Sequence, residues 1–316
     1  MENNVKNQKK IKISNLDDLL ELFIYNKATH GRPTHARIPC TTMNIKGAAY
    51  YIPKEHLEKF YKLYNKKIFR NKLKEYLVET QNRDEAAPIL IDFDFKFDKS
   101  IEKRQWETEH DQDTIELITE KISQMCEFED GDKISVYVFK KKNMKEEEEY
   151  IKDGVHYYIG YKMTHVGQMH LRDMVLQDID EQIFEDLDLV NNKQDIYDNH
   201  ITNGGGQWQM YGSIKSPNHE PYTLTAVYDC EYSEDNENFS QKQLSKSEFP
   251  ELKNRVKIFS TRNEDLPEAV YKESIVSLLK SILDQYFLMP NQPSSIYQTN
   301  HNNLHSKSSH IDVLVL

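Results

Sequence analysis

The segment that most restricts the fold is Pro88-Ile-Leu-Ile-Asp-Phe-Asp-Phe-Lys-Phe97, the most apolar short run in the first half of the chain. It reads as a strand, and strand side chains point to opposite faces in turn. Ile91, Phe93 and Phe95 therefore share one face, and Asp92 and Asp94 share the other. Two carboxylates about 6–7 Å apart repel by roughly 2–3 kcal/mol at an effective dielectric near 20. A divalent cation between them reverses that sign, because Mg2+ and Mn2+ take hard carboxylate oxygens. The plainer alternative is an amphipathic edge strand with Asp92, Asp94, Lys96 and Asp98 on its polar side.

The flanking sequence alternates between helical and strand periods. Ser14 is placed to cap a helix through Leu19, Leu20 and Phe23. Pro53 suits the first helical position ahead of Leu57, Phe60, Tyr61 and Tyr64. Ile115, Ile118, Ile122 and Met125 mark a helix, and Ile134–Phe139 alternates as a strand. The charged patch 140–149 reads as a solvated hairpin or loop. Val155–Tyr161 is a strand, Met174 to Ile183 a helix, Gln207–Ser213 and Tyr222–Tyr232 further strands, and Ile275 to Tyr286 a last helix. From about residue 290 the composition turns to Asn, Ser and His without a period, which reads as a flexible tail over 290–316. No internal repeat is visible, and elements that keep no strict βαβ rhythm favour an α+β fold.

Composition narrows the class. The chain has 316 residues, room for one large domain or two modest ones with a buried core. Mean hydropathy is −0.78 and no apolar run approaches the roughly 20 residues that span a bilayer, so a helical membrane protein is excluded. The opening Met-Glu-Asn-Asn-Val-Lys lacks the apolar region of a signal peptide, which points to an intracellular protein. The net charge of −11 hides an asymmetry: residues 1–75 hold 16 Lys and Arg against 7 Asp and Glu, a balance of +9, and the remainder carries −20. A basic segment on an acidic body is a candidate footprint for a polyanion, although solvated Lys-rich helices give the same count. Cys40, Cys126 and Cys230 are too scattered for a disulfide framework or a zinc site and read as small buried hydrophobes.

Two further segments carry chemistry. In Lys152-Asp-Gly-Val-His156, the histidine opens a strand on the face away from Val155, Tyr157 and Ile159, just after a glycine that allows close approach. A structural histidine is the alternative. In Tyr197-Asp198 and the following Asn203-Gly-Gly-Gly206, the glycines suit a tight turn between two strands. Lys215 then emerges at the end of the second strand, placed for a phosphate if that end faces the carboxylates. Nothing fits Gly-x4-Gly-Lys-Ser/Thr, so the chain carries no motor ATPase motif.

In order and spacing these segments resemble the archaeo-eukaryotic primase superfamily, whose signature is Asp-x-Asp/Glu, then Ser-x-His or Gly-x-His, then a hydrophobic residue and Asp. Asp92/Asp94, Gly154-x-His156 and Tyr197-Asp198 match in turn, and Trp208 to Lys215 resembles the Leu-Tyr-Gly-Ser-x-Lys segment that follows. Thr34-His-Ala-Arg37 and Tyr50-Tyr-Ile-Pro53 are similar to elements in the primase domains of poxvirus-like primase-helicases. The resemblance covers roughly residues 30 to 285. It implies a catalytic core with an RRM-like antiparallel sheet packed with helices (76–289), preceded by a basic N-terminal helical or α/β part (1–75).

The resemblance also implies roles. Asp92, Asp94 and Asp198 would hold two catalytic Mg2+ or Mn2+ ions, His156 would contact the triphosphate, and Lys215 and Lys152 would neutralise phosphates. Gln209 stands where many relatives have Arg, so it can bond a phosphate or base without supplying charge. The implied activity is template-directed nucleotidyl transfer that makes primers on single-stranded DNA in viral genome replication, in the cytoplasm or nucleus. Expected partners are template, nucleoside triphosphates and a separate or missing helicase. A primer-extending repair polymerase, a metal nuclease, and a silent module that binds single-stranded DNA or a helicase are the alternatives.

Overall fold

The computed structural model describes residues 13–288. Helix α1 (Leu16–Leu22) is capped by Asn15, whose side chain accepts from the Asp18 amide while Asp18 reaches back. Ser14, the expected cap, instead donates its hydroxyl to Asp18 at 2.6 Å. The reciprocal Asn15–Asp18 bonds satisfy two free amides at once, which sets the helix start one residue later. Strands β1 (His35–Arg37) and β2 (Ala48–Tyr50) lead to helix α2 (Lys54–Asn65). Pro53 stands outside α2 as its cap, with extended backbone, rather than as its first helical residue. Phe60, Tyr61 and Tyr64 of α2 are buried against Leu16, Leu19 and Leu20 of α1.

Strands β3 (Leu77–Thr80) and β4 (Ala87–Phe97) precede helix α3 (Thr108–Met125) and strand β5 (Lys133–Lys140). The charged patch is a hairpin arm: its two-residue strand β6 (Lys145–Glu146) pairs with β7 (Ile151–Met163). Helix α4 (His165–Ile179) follows, capped by the Thr164 hydroxyl on the Gly167 amide. Two one-turn helices, α5 (Lys193–Ile196) and α6 (Asn199–Thr202), lead into β8 (Gln207–Gln209). The triple glycine therefore joins a helix to a strand, not two strands. β8 is also shorter than expected, because the chain turns at Met210–Ser213 with Gly212 at φ +83°, a conformation that glycine alone takes without strain. Strands β9 (Thr223–Ser233) and β10 (Asn238–Gln243) and helices α7 (Leu252–Ile258) and α8 (Glu273–Leu288) complete the described chain. The tail read over 290–316 lies outside it.

The strands form two antiparallel sheets, ordered β2-β1-β3-β8 and β10-β9-β5-β7-β4, with helices packed against them, and the α+β expectation is met. Ile89, Ile91, Phe93, Phe95 and Phe97 project from β4 into the main core, among Ile115, Ile118 and Ile122 of α3 and Leu171, Val175 and Ile179 of α4. Each such ring or branched chain adds roughly 1.5–3 kcal/mol by leaving water. A one-residue slip of β4 would bury Asp92 and Asp94 there, so the core itself fixes the register. On the other face of the large sheet, Leu90, Phe139, Tyr158 and Tyr222 pack with Trp208 of β8 and Phe259 after α7, which ties the two sheets together. All three cysteines are buried and free.

Candidate active site

Antiparallel pairing of β4 with β7 sets Asp92 opposite His156 and Asp94 opposite Gly154. His156 is the sixth residue of β7 and buried, not at a strand opening, so its backbone is held on both sides by the strand. His156 Nε2 comes within 3.1 Å of Asp92 Oδ1, but out of line for a hydrogen bond, and both buried atoms lack a hydrogen-bond partner. Burial alone would raise the Asp92 carboxyl. The His156 charge, with Lys215 and Lys152, outweighs it and holds that carboxyl down at about 2. Asp94 is about one-third exposed and accepts from Lys152 Nζ at 2.9 Å.

Asp198 arrives from the segment that seals the outer edge of β4. Phe93 bridges to Tyr197, and the Asp198 amide donates to the Asp92 carbonyl at 3.0 Å. Tyr197 is buried and its carbonyl accepts from Arg172 Nε of α4 at 3.0 Å. The Asp198 carboxylate is engaged by the His200 amide at 2.7 Å, which starts α6. The main chain thus brings Asp198 to Asp92, while its side chain serves as a helix cap. Gln209 Nε2 donates to the Ser213 carbonyl and its Oε1 is buried without a partner. Gln209 and His156 both line a cavity of about 20 Å³, room for one water.

Three residues that sequence reasoning missed complete the site. Tyr222 stacks on His156 with ring centroids 3.5 Å apart, and Trp208 lies against the imidazole at 4.7 Å. Lys141 Nζ sits over the Tyr222 ring, 4.5 Å from its centroid. Lys141 belongs to the patch read as solvated, yet it is half-buried. Burial and the like charges of Lys215 and Lys152 push its ammonium below the ordinary range, against the pull of Asp94 and Asp92. These contacts join β7 and β8 to the residue after β5 and the residue before β9, and no sequence period reports on them.

Two carboxylates, His156 and the Lys152 ammonium therefore meet on one sheet face, with Lys141 and Lys215 close enough to act on their charge. The Asp92–Asp94 pair suits a hard divalent ion: Asp92 Oδ1 is buried with no hydrogen-bond donor, and an ammonium already stands against Asp94. Among the described residues, no three His, Cys, Asp or Glu side chains converge on a point that could hold a metal. Asp198 is thus near but not turned in as a third ligand. No helix of the described residues is long and apolar enough to cross a membrane.

A comparison with protein families matches residues 40–228 to the C962R protein N-terminal AEP domain, AEP standing for archaeo-eukaryotic primase. No curated protein matches the chain. The matched span contains Asp92, Asp94, Lys152, His156, Asp198, Gln209 and Lys215, every site residue picked from the sequence. With more than half of its length matched, on an antiparallel α+β architecture, the chain belongs to the archaeo-eukaryotic primase family, the primase-polymerases.

Proposed function

We propose that this protein is a metal-dependent nucleotidyltransferase that makes primers on a single-stranded DNA template during viral genome replication. The observation that carries the reading is the register of β4 on β7, which sets an acid pair against a histidine and a lysine on one face. Asp92 and Asp94 would hold the divalent ions, with Asp198 supplying a third carboxylate after leaving its cap. When bound, such ions offset charge on the attacking and leaving oxygens of an in-line displacement.

The chain's own residues do the rest. Lys152, which here pairs with Asp94, would turn to the triphosphate, with Lys215 adding positive charge and His156 a ring nitrogen beside it. Gln209 gives a neutral hydrogen-bonding group at the edge of this set. No side chain acts as a nucleophile, since the primer's 3′-hydroxyl or a first nucleotide attacks. The basic residues before position 75 provide a surface for the template backbone, and a separate helicase supplies the single strand.

The test is incorporation of labelled nucleotides on single-stranded templates with Mg2+ or Mn2+, with and without a primer. Wild-type protein incorporates in a template-dependent way, and Asp92→Ala combined with Asp94→Ala abolishes it. No incorporation under either metal would overturn the reading. Extension of a supplied primer without products on unprimed template would assign a primer-extending polymerase instead.

A further inference from the structure

Motif histidines need an orientation as well as a position, and nothing in β7 itself supplies one for His156. Its Nε2 has no hydrogen bond, and the 3.1 Å approach to Asp92 is out of line. The ring is instead held by contact, with Tyr222 on it at 3.5 Å and 24° between planes, and Trp208 at 4.7 Å and 36°. With one face of Tyr222 covered so closely, the Lys141 ammonium, 4.5 Å from the same centroid, takes the other face. Tyr222 is buried, so this sandwich does not open to water at the ring.

The sandwich also explains Gly154, which sits in extended backbone where no positive φ calls for glycine. A methyl group built there would stand 2.9 Å from the Tyr222 hydroxyl and 2.8 Å from the Phe93 carbonyl oxygen. Both are shorter than any tolerable contact, and the carbonyl is fixed by the sheet. The glycine of Gly154-x-His156 is thus the space through which Tyr222 reaches across β7 and onto the imidazole.

We infer that Tyr222 is a positioning residue: its ring, backed by the Lys141 ammonium, holds the imidazole of His156 in one orientation, so that His156 meets the triphosphate in a fixed arrangement. This rests on the reading of His156 as a nucleotide contact. In this role Tyr222 acts through the imidazole and not on the nucleotide.

The test is the dissociation constant of a nucleoside triphosphate analogue with an unreactive α,β-bridge, measured by calorimetry with Mg2+. It compares wild type, Tyr222→Leu, His156→Ala and the double variant. Tyr222→Leu is expected to weaken binding about five- to tenfold, the worth of one aromatic pair, and to add nothing in the His156→Ala background. Tyr222→Phe, which keeps the ring, restores binding to within about twofold of wild type. Should Tyr222→Leu fail to fold, Tyr222→Met, which keeps more of the side-chain volume without the flat ring, takes its place and must show the same non-additivity. A full additional loss in the His156→Ala background, or no loss from Tyr222→Leu while His156→Ala weakens binding, overturns the positioning role alone. No change from His156→Ala overturns the nucleotide role of His156, and this inference with it.

Discussion

Arg104 grips Asp153 through two parallel hydrogen bonds, Nε to Oδ2 at 2.7 Å and Nη2 to Oδ1 at 2.9 Å, and the same Nη2 donates to the Lys141 carbonyl at 2.9 Å. Asp153 lies between Lys152 and Gly154, and its side chain is 3% exposed. One guanidinium therefore anchors the backbone beside two cations of the site. Arg104→Met strands a buried carboxylate and is expected to cost about 3 kcal/mol of unfolding free energy in urea titrations. A loss below about 1 kcal/mol would mean that water replaces the guanidinium.

Glu79 gives a pH dependence with a definite sign. Burial alone would raise its carboxyl. His35, Arg262 and Ser260 outweigh burial and hold it below its ordinary value of 4.5, with Ser260 Oγ donating at 2.6 Å and the Thr261 amide at 2.7 Å. A carboxyl depressed on folding adds stability that is full above its unfolded value and is lost as pH falls through the folded one. Unfolding free energy should thus decline from about pH 4.5 downward, and Glu79→Gln should flatten that decline. An unchanged acid limb in the variant would remove Glu79 from the account.

Phe93 holds both the core and the site edge, with ring contacts to Tyr197 at 5.2 Å, Tyr157 at 5.8 Å and Trp106 at 6.1 Å. Phe93→Ala should cost about 3–5 kcal/mol by the cavity it leaves. The loss of the Tyr197 contact should also loosen the Asp198 amide, which hydrogen exchange reads directly. Protection at Asp198 equal to wild type, after correction for global stability, would show that the edge segment holds itself.

Lys59, Lys62, Lys66, Arg70 and Lys72 on α2 and the turns after it are exposed and make no ion pair among the described residues. If this is the template surface, binding of a labelled single strand should weaken steeply with salt, at a slope of about −0.7 per phosphate contacted. Lys59→Glu with Lys66→Glu should shallow that slope by about 1.4 and weaken binding at low salt. An unchanged slope would move the template elsewhere.

The parts of the site that were legible in the sequence lie within single elements. Asp92 and Asp94 declared a shared face because a strand repeats every two residues, and the phenylalanines between them declared the core side. Asn15 escaped because Ser14 and Asn15 are equally good caps, and only the reciprocal bond to Asp18 chooses between them. The helix before the triple glycine escaped because α6 is a single turn, too short to show a period. Tyr222, Trp208 and Lys141 escaped for a different reason: a strand face states which side a residue takes, not which remote ring covers it. Lys141 read as solvated because its charged neighbours hid a side chain laid over an aromatic ring.

The bond from the Asp198 amide to the Asp92 carbonyl joins positions more than a hundred residues apart, across three helices and three strands. Closing a loop of that length costs chain entropy, which this bond and the bridges at Leu189 and Tyr197 help to offset. Asp198 cannot stand beside Asp92 in any chain that has not yet reached α6. A nascent or partly unfolded copy therefore holds the strand that carries Asp92 and Asp94 but not the neighbour that completes it. Opening of the 189–198 segment, which the bridges Phe97–Leu189 and Phe93–Tyr197 hold to β4, would therefore part Asp198 from Asp92 while the sheet itself stays paired.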